Sequence, residues 1–242
     1  MKTSRLYILL ILSGFIISSC SVDTIRVDAN DEVTYRNVYI TDYSSIEIAN
    51  GFTAYITFSD TEESIKIEAN ENLHDHIITS KRDDELIVRL RNNLNIRGRE
   101  TLNVYITTKY INNFTATADS QIYLENTLIE DNAKIKITAD SFFSGHVDAN
   151  YLELKSTADS NVDLSGSVNI LNAYLSADAR LSGYDLEVED LKIKMTADCN
   201  ANLTVNKTID VEAVADCTLR YKGNATIIHE SLKADSRVIK IN

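Results

Sequence analysis

The dipeptide Ala-Asp recurs seven times in the C-terminal half of the chain at a nearly constant interval. The copies are Ala118-Asp119, Ala139-Asp140, Ala158-Asp159, Ala177-Asp178, Ala197-Asp198, Ala215-Asp216 and Ala234-Asp235. Successive copies are 21, 19, 19, 20, 18 and 19 residues apart. Such regularity is typical of a solenoid, in which each repeat is one structural unit and loops absorb the small differences in length.

The positions around each Asp keep their character from copy to copy. Position +1, counted from the Asp, is always small: Ser120, Ser141, Ser160, Ala179, Cys199, Cys217 and Ser236. Position +3 is always apolar, and position −3 is apolar in every copy except at Ser156. Because side chains alternate between the two faces of a strand, we predict that odd positions, including the Ala at −1, face inward. Even positions, including the Asp, are then expected to face solvent.

A unit of about 19 residues has the length of one coil of a parallel β-helix, and seven coils at roughly 4.8 Å each give a stack about 34 Å long. The chain has no Pro, and Val, Ile, Thr and Tyr are abundant, which favours an all-β class. We therefore predict a single-stranded parallel β-helix in which neighbouring coils cover each other's inward faces.

The chain before the repeats is also strand-like but carries no Ala-Asp unit. Short apolar alternations run through residues 43–107, and Leu73 and Ile77 have the spacing of a short helix or turn. We predict four segments: a signal peptide over 1–19, a polar tether over 20–40, N-terminal coils over 41–112 and the Ala-Asp coils over 113–242. The last two form one domain over 41–242.

The first twenty residues are typical of an export signal. Lys2 and Arg5 precede an apolar run over residues 6–17, which is too short for a transmembrane helix. Ser18-Ser19-Cys20 resembles the lipobox of Bacteroidetes-type lipoproteins, which implies lipidation of Cys20 and attachment to a membrane. The alternative is ordinary secretion, with Cys20 left in the discarded peptide. Ser21 favours the outer membrane, and either face of that membrane remains open.

Charge excludes some partners. The chain has 24 Lys and Arg residues and 36 Asp and Glu residues. Removal of the signal peptide with Lys2 and Arg5 leaves 22 basic residues against 36 acidic ones, a formal charge of −14. Nucleic acids and anionic lipids require a basic surface, so neither is expected as a partner. No cofactor is expected either, because the phosphate-binding Gly loop and the common hydrolase and zinc motifs are absent from the sequence.

Three segments and the repeats together resemble the head GIN domain family, which is also labelled as auto-transporter adhesins. The segments are residues 46–56 (IEIANGFTAYI), 68–73 (EANENL) and 83–88 (DDELIV). The resemblance extends from about Val38 to the C-terminus and implies a right-handed β-helix in a Bacteroidetes lipoprotein with an adhesin-like role. Family repeats centre on Gly/Ser-rich turns, whereas the commonest reading of the equivalent turn here is Thr-Ala-Asp-Ser. The family supplies no catalytic residues.

The seven aspartates are the most conspicuous candidate site. Stacked about 4.8 Å apart they repel one another, and a cation such as Ca²⁺ could bridge their carboxylates. This Asp ladder consists of Asp119, Asp140, Asp159, Asp178, Asp198, Asp216 and Asp235. The favoured alternative is structural: each Asp accepts backbone hydrogen bonds at a turn, and Lys136, Lys155 and Lys194 reach across rungs to offset the repulsion.

Cysteine, histidine and tyrosine residues are the remaining candidates for a functional site. Cys199 and Cys217 share position +1 in consecutive coils, so they form either a disulfide or two stacked thiols. His74 and His76 lack further metal ligands, and a solvated loop is expected there. Five tyrosines have different phases, so we predict no common aromatic platform. They are Tyr123, Tyr151, Tyr174, Tyr184 and Tyr221.

These observations favour a non-enzymatic cell-envelope lipoprotein whose β-helical surface binds a glycan or a protein. A polysaccharide-processing enzyme is the first alternative, because parallel β-helices also carry lyases and hydrolases. Its clustered acids and bases are not evident here, since the only regular carboxylates form the Asp ladder. An envelope assembly component is the second alternative, because the final run over residues 238–241 would leave an open strand edge.

Overall fold

A computed structural model describes residues 24–241. The predicted signal peptide and Cys20 lie outside the described residues. Within the described range, no helix is long and apolar enough to cross a membrane.

The described chain is built almost entirely of strands. In chain order they are β1 (Ile25–Asp28), β2 (Val33–Val38), β3 (Ser45–Ala49), β4 (Thr53–Phe58), β5 (Ser64–Asn70), β6 (Ile77–Arg82), β7 (Glu85–Leu90), β8 (Leu94–Arg97), β9 (Leu102–Thr108), β10 (Asn113–Thr117), β11 (Gln121–Leu124), β12 (Leu128–Thr138), β13 (Phe142–Thr157), β14 (Asn161–Ser176), β15 (Arg180–Thr196), β16 (Asn200–Val214), β17 (Thr218–Lys222), β18 (Thr226–Lys233) and β19 (Arg237–Lys240). A short 3₁₀-helix, Glu71–His76, precedes β6. The all-β class and the short helix are as predicted.

The Ala-Asp repeats form the predicted parallel β-solenoid. Phe142 of β13 pairs with Asn161 of β14, and Asn161 pairs with Arg180 of β15, so like phases stack on like phases. Strands β13 to β16 are 15 to 17 residues long and bend around the core, each contributing to two faces of the stack. The sequence period is thus the length of one coil.

The inward assignment holds at positions −3, +1 and +3, which are buried in the first six copies. Phe143, Val162 and Leu181 at position +3 are at most 1% exposed. The prediction is wrong for the Ala at −1, which is half-buried or exposed in every copy. The reason is that the Ala and the Asp together form a corner, and a corner interrupts the two-residue alternation of a strand.

Each corner consists of two successive residues in the left-handed region. Ala177 and Asp178, for example, have φ angles of 54° and 61°, and all seven copies share this geometry. The Asp N–H donates to the Ala carbonyl of the next coil, as Asp178 does to Ala197 at 3.0 Å. Asn50 and Gly51 form one more such corner at the N-terminal end, where the Gly51 N–H donates to the Ala118 carbonyl.

The N-terminal part is a mixed extension of the same stack. Strands β3 and β4 continue the coils by parallel pairing with β10 and β11, whereas β2, β5 and β6 pair antiparallel with their neighbours. The stretch over 41–112 is therefore more than a set of simple coils. The polar tether predicted over 20–40 is also a misassignment from Ile25 onward, because β1 and β2 pair with β8 and β5.

The strand pairings define one long face that runs the length of the molecule. In spatial order it contains β2, β5, β9, β4, β11, the first parts of β13 to β16, β17 and β19. Strand β19 pairs with β17 along one edge, and no described strand covers its other edge. The open edge predicted at the C-terminal run is present.

Candidate functional site

The carboxylates of the Asp ladder are all exposed. None of them forms a side-chain hydrogen bond or ion pair within residues 24–241, so the predicted side-chain capping of the backbone is not observed. The Asp instead occupies the left-handed corner, a conformation that Asp and Asn adopt more readily than most residues. The predicted lysine contacts are also wrong: Lys194 pairs with Glu212, and Lys155 lies over the Tyr174 ring.

Calcium binding by the Asp ladder is the less favoured alternative to its structural role, and titration tests it. Among the described residues, no group of three or more His, Cys, Asp or Glu side chains converges as a metal site. Because Ca²⁺ requires six or more oxygen ligands, we expect calorimetric titration with CaCl₂ to give no heat and no change in melting temperature. A saturable heat that disappears in Asp159→Asn would instead establish the cation site.

Cys199 and Cys217 are both buried free thiols in the structure. Each points back to its own corner: Cys199 Sγ donates to the Thr196 carbonyl at 3.2 Å, and Cys217 Sγ to the Val214 carbonyl at 3.3 Å. Burial raises the pKa of the Cys199 thiol to about 11, which disfavours the reactive thiolate. This arrangement suits the stacked-thiol alternative; the disulfide remains a prediction that thiol counting tests.

His74 is a buried residue of the 3₁₀-helix and not part of a solvated loop. Its Nε2 atom lies 3.1 Å from Thr34 Oγ1, and the Thr34 hydroxyl donates to Glu71. The solvated loop predicted here is wrong because β2, which lies in the segment predicted as a tether, packs against the 3₁₀-helix. The contacts link β2 to the body of the protein.

Three tyrosines stack in register on the outer side of the long face. Tyr55 pairs with Tyr105 on β9 and with Tyr123 on β11. Their ring centroids are 5.3 and 5.6 Å apart, with interplanar angles of 14° and 16°. This tyrosine ladder (Tyr105, Tyr55 and Tyr123) was missed because only Tyr123 belongs to an Ala-Asp unit. The prediction of no common aromatic platform is therefore wrong at the N-terminal end.

Charged residues extend the tyrosine ladder across β5. The Lys66 amine lies 4.9 Å from the Tyr35 ring centroid and 5.3 Å from that of Tyr105. Glu68 accepts hydrogen bonds from the hydroxyls of Tyr35 and Tyr105 and from the Asn103 amide. These hydrogen bonds lower the pKa of Glu68, and the bond from Asn103 has the largest effect. The bond to Glu68, with partial burial, raises the pKa of Tyr105 to about 12.

An open groove of about 560 Å³ lies beside the tyrosine ladder. This tyrosine groove is lined by Asn37, Tyr55, Thr57, Ser64, Lys66, Tyr105, Ile106, Thr107 and Glu125. The side chains of Asn37, Tyr55 and Glu125 make no hydrogen bond within the described part of the chain, so their polar groups are available to a ligand. The Tyr55 ring lies between the rings of Tyr105 and Tyr123, so a ligand in the groove meets its edge and its hydroxyl rather than its faces.

The fold has clear relatives among solved structures. An adhesin-like protein of Bacteroides fragilis, described as "putative adhesin", superposes with a TM-score of 0.83 at 17% identity, covering 89% of this chain and 100% of that chain. A "putative adhesin" of Parabacteroides merdae gives 0.71 at 17% identity over 90% and 99%. A "Putative lipid binding protein" of Parabacteroides distasonis gives 0.72 at 14% identity over 90% and 100%.

These likenesses establish a common fold. A search of curated proteins finds no match. The family model described as "Putative auto-transporter adhesin, head GIN domain" matches residues 42–225, which is most of the chain. The matched range contains the tyrosine ladder and the first six Ala-Asp corners. The chain therefore belongs to the head GIN domain family.

Proposed function

We propose that this protein is a non-enzymatic, adhesin-like component of the cell envelope that binds a glycan through the tyrosine groove. The observation that carries the proposal is the set of unpaired polar groups beside an ordered tyrosine ladder. A saccharide presents many hydroxyls, and its recognition requires donors and acceptors held in fixed positions. Asn37 offers both, Tyr55 and Thr57 offer hydroxyls, and Glu125 offers a carboxylate.

The rigidity of the site supports binding over catalysis. Stacking fixes the Tyr55 ring between two neighbours, and Glu68 fixes the hydroxyl of Tyr105. Binding to side chains that are already ordered costs less conformational entropy. A glycosidase requires two carboxyl groups facing each other across the scissile bond, whereas the lining contains one carboxylate, Glu125.

Attachment to the membrane through Cys20 is part of the proposal. Its support is the resemblance of Ser18-Ser19-Cys20 to a lipobox, together with the adhesin family, which suggests an exported protein. Each CH₂ group of an acyl chain that is buried in the membrane contributes about 0.8 kcal/mol. One acyl chain therefore binds a protein to the membrane only marginally, whereas two chains anchor it stably. Incorporation of labelled palmitate that is lost in Cys20→Ala tests the anchor, and the outer membrane is the expected location.

A glycan array, with a parallel screen for lyase and hydrolase products, tests the binding function. The probe is the soluble chain that starts at Ser21, because it retains every described strand. We expect a defined set of glycans to bind without being cleaved. Turnover of a polysaccharide that disappears in Asp159→Asn would favour the enzyme alternative, and an array without any bound glycan would count against the proposed ligand class.

A further inference from the structure

A second groove adjoins the tyrosine groove at the end of β2. It has a volume of about 340 Å³ and is lined by Asn37, Val38, Tyr39, Ile40, Thr41, Glu63, Ser64 and Ile65. We call it the Tyr39 groove. Asn37 and Ser64 line both grooves, so the two meet where the end of β2 pairs with the start of β5. Each groove alone has the volume of a small-molecule site, so together they have room for a longer ligand.

Tyr39 presents an uncovered aromatic ring in this groove. The residue is 90% exposed, and within residues 24–241 its side chain has no hydrogen bond and no ring or cation contact. Tyr55 differs, because its ring lies between those of Tyr105 and Tyr123. A single exposed ring is ordinary on a protein surface, but this one lines a cavity that adjoins a second cavity. Its open faces are therefore available to a ligand that occupies the grooves.

The two grooves offer different chemistry to a ligand. The tyrosine groove presents mainly hydroxyl, amide and charged groups, whereas the Tyr39 groove adds an open ring and the aliphatic residues Val38, Ile40 and Ile65. A sugar ring divides in the same way, because its hydroxyls project from the edge while C–H groups form apolar patches on its faces. Such a face packs against an aromatic ring, and the hydroxyls remain free for hydrogen bonds. One groove thus suits the edge of a sugar, and the other suits its face.

We propose that the ligand is an oligosaccharide of at least two sugar units, one held in the tyrosine groove and the next stacked on Tyr39. The inference rests on the glycan-binding function proposed above and adds the minimum length of the ligand. Asn37 and Ser64 lie at the junction, and in the described part of the chain their side chains form no hydrogen bond, so they are available to both units. A single sugar contacts only one groove and should bind more weakly.

Fluorescence of a Tyr39→Trp variant tests the stacking position directly. The chain contains no Trp, so the soluble chain from Ser21 with this substitution carries one indole, at the Tyr39 groove. The probes are one-, two- and four-unit fragments of the glycan with the strongest array signal, and glucose and N-acetylglucosamine oligomers of the same lengths. We expect the two- and four-unit fragments of the array glycan to change the indole emission and the single sugar to leave it unchanged. By calorimetry, the two-unit fragment should bind at least about tenfold more tightly than the single sugar.

Tyr174→Trp is the matched control, because Tyr174 is an exposed tyrosine on a distant coil and lines neither groove. Its emission should not respond to any probe. Tyr39→Ala should remove the tighter binding of the two-unit fragment, so that this fragment binds no better than the single sugar. Tyr39→Phe should retain it, because the ring stacks without its hydroxyl.

The outcomes separate this inference from the function on which it rests. Equal affinity for one and two units, or unchanged Tyr39→Trp emission while calorimetry detects the bound two-unit fragment, would overturn the Tyr39 subsite and leave glycan binding intact. An equal response of the Tyr174→Trp emission would also overturn it. Absence of binding by every probe would overturn the proposed function and this inference with it.

Discussion

Replacing Phe143 with alanine should lower the free energy of unfolding by about 3–5 kcal/mol, the range for a large aromatic side chain removed from a core. Phe143 is fully buried at position +3, and its ring meets the Phe114 ring edge-to-face at 5.5 Å. The cavity would open in the core that adjacent coils share. Because stability in a solenoid depends on contacts between adjacent coils, the loss should be felt across the stack.

The adjacent Phe142 is a matched control. It is half-buried on the outer side of the long face, where it meets the Tyr123 ring at 5.5 Å. Phe142→Ala should therefore cost only about 1 kcal/mol. Urea unfolding of the two variants measures the difference, and equal costs would contradict the assignment of inner and outer residues.

Replacing Ala177 with valine should lower the free energy of unfolding by about 2 kcal/mol or more. Ala177 has a φ of 54°, and a branched side chain is strongly disfavoured in the left-handed region. Ala177 is exposed, so crowding in the core cannot account for such a loss. Ala177→Gly should remain within about 1 kcal/mol of the wild type, because glycine adopts this conformation readily.

Ser176→Val is the control for the corner, since Ser176 is the last residue of β14 and belongs to a strand. A β-branched residue suits that position, and its cost should stay within about 0.5 kcal/mol. Both variants are compared by thermal and urea unfolding. A valine at 177 that is tolerated as well as one at 176 would contradict the left-handed corner.

The coil could be predicted from the sequence because each coil requires small or apolar side chains at the same inward-facing positions. Val162 and Leu181 are apolar for one reason: each stacks on its counterpart in the adjacent coil. The corner could not be predicted in the same way, since Ala is not a residue that marks a positive φ. Asn50-Gly51 does carry that mark, but nothing in the sequence connects it to the seven Ala-Asp pairs far downstream.

The tyrosine groove could not be predicted from the sequence, because its residues come together only through the pairing of strands that are distant in the chain. Tyr55, Tyr105 and Tyr123 are widely separated in the chain, and Lys66 reaches them only because β5 pairs antiparallel with β9. No repeat relates these residues, so their phases cannot be compared before the strand pairing is known. The Asp ladder was conspicuous for the opposite reason: its regularity follows from the construction of the corner.

The repeated features of the coils and the tyrosine groove have different roles. Among residues 24–241, the corners and the inward stack recur from coil to coil, whereas the tyrosine groove lies where the mixed N-terminal strands extend the long face. A feature that interrupts a regular scaffold is a better candidate for specific binding than one that the scaffold itself generates. Recognition is therefore assigned to the tyrosine groove, and the Asp ladder to the construction of the corners.

Isothermal titration of the glycan with the strongest array signal tests this assignment most directly. Tyr55→Phe/Asn37→Ala removes a hydroxyl and an amide from the groove while keeping the stacked ring, and should weaken binding at least about tenfold. Tyr123→Phe alters the same tyrosine ladder at a hydroxyl bonded to Gln121, outside the groove lining, and should leave the dissociation constant unchanged. Undiminished affinity in the groove variant, or equal loss in both, would contradict the account.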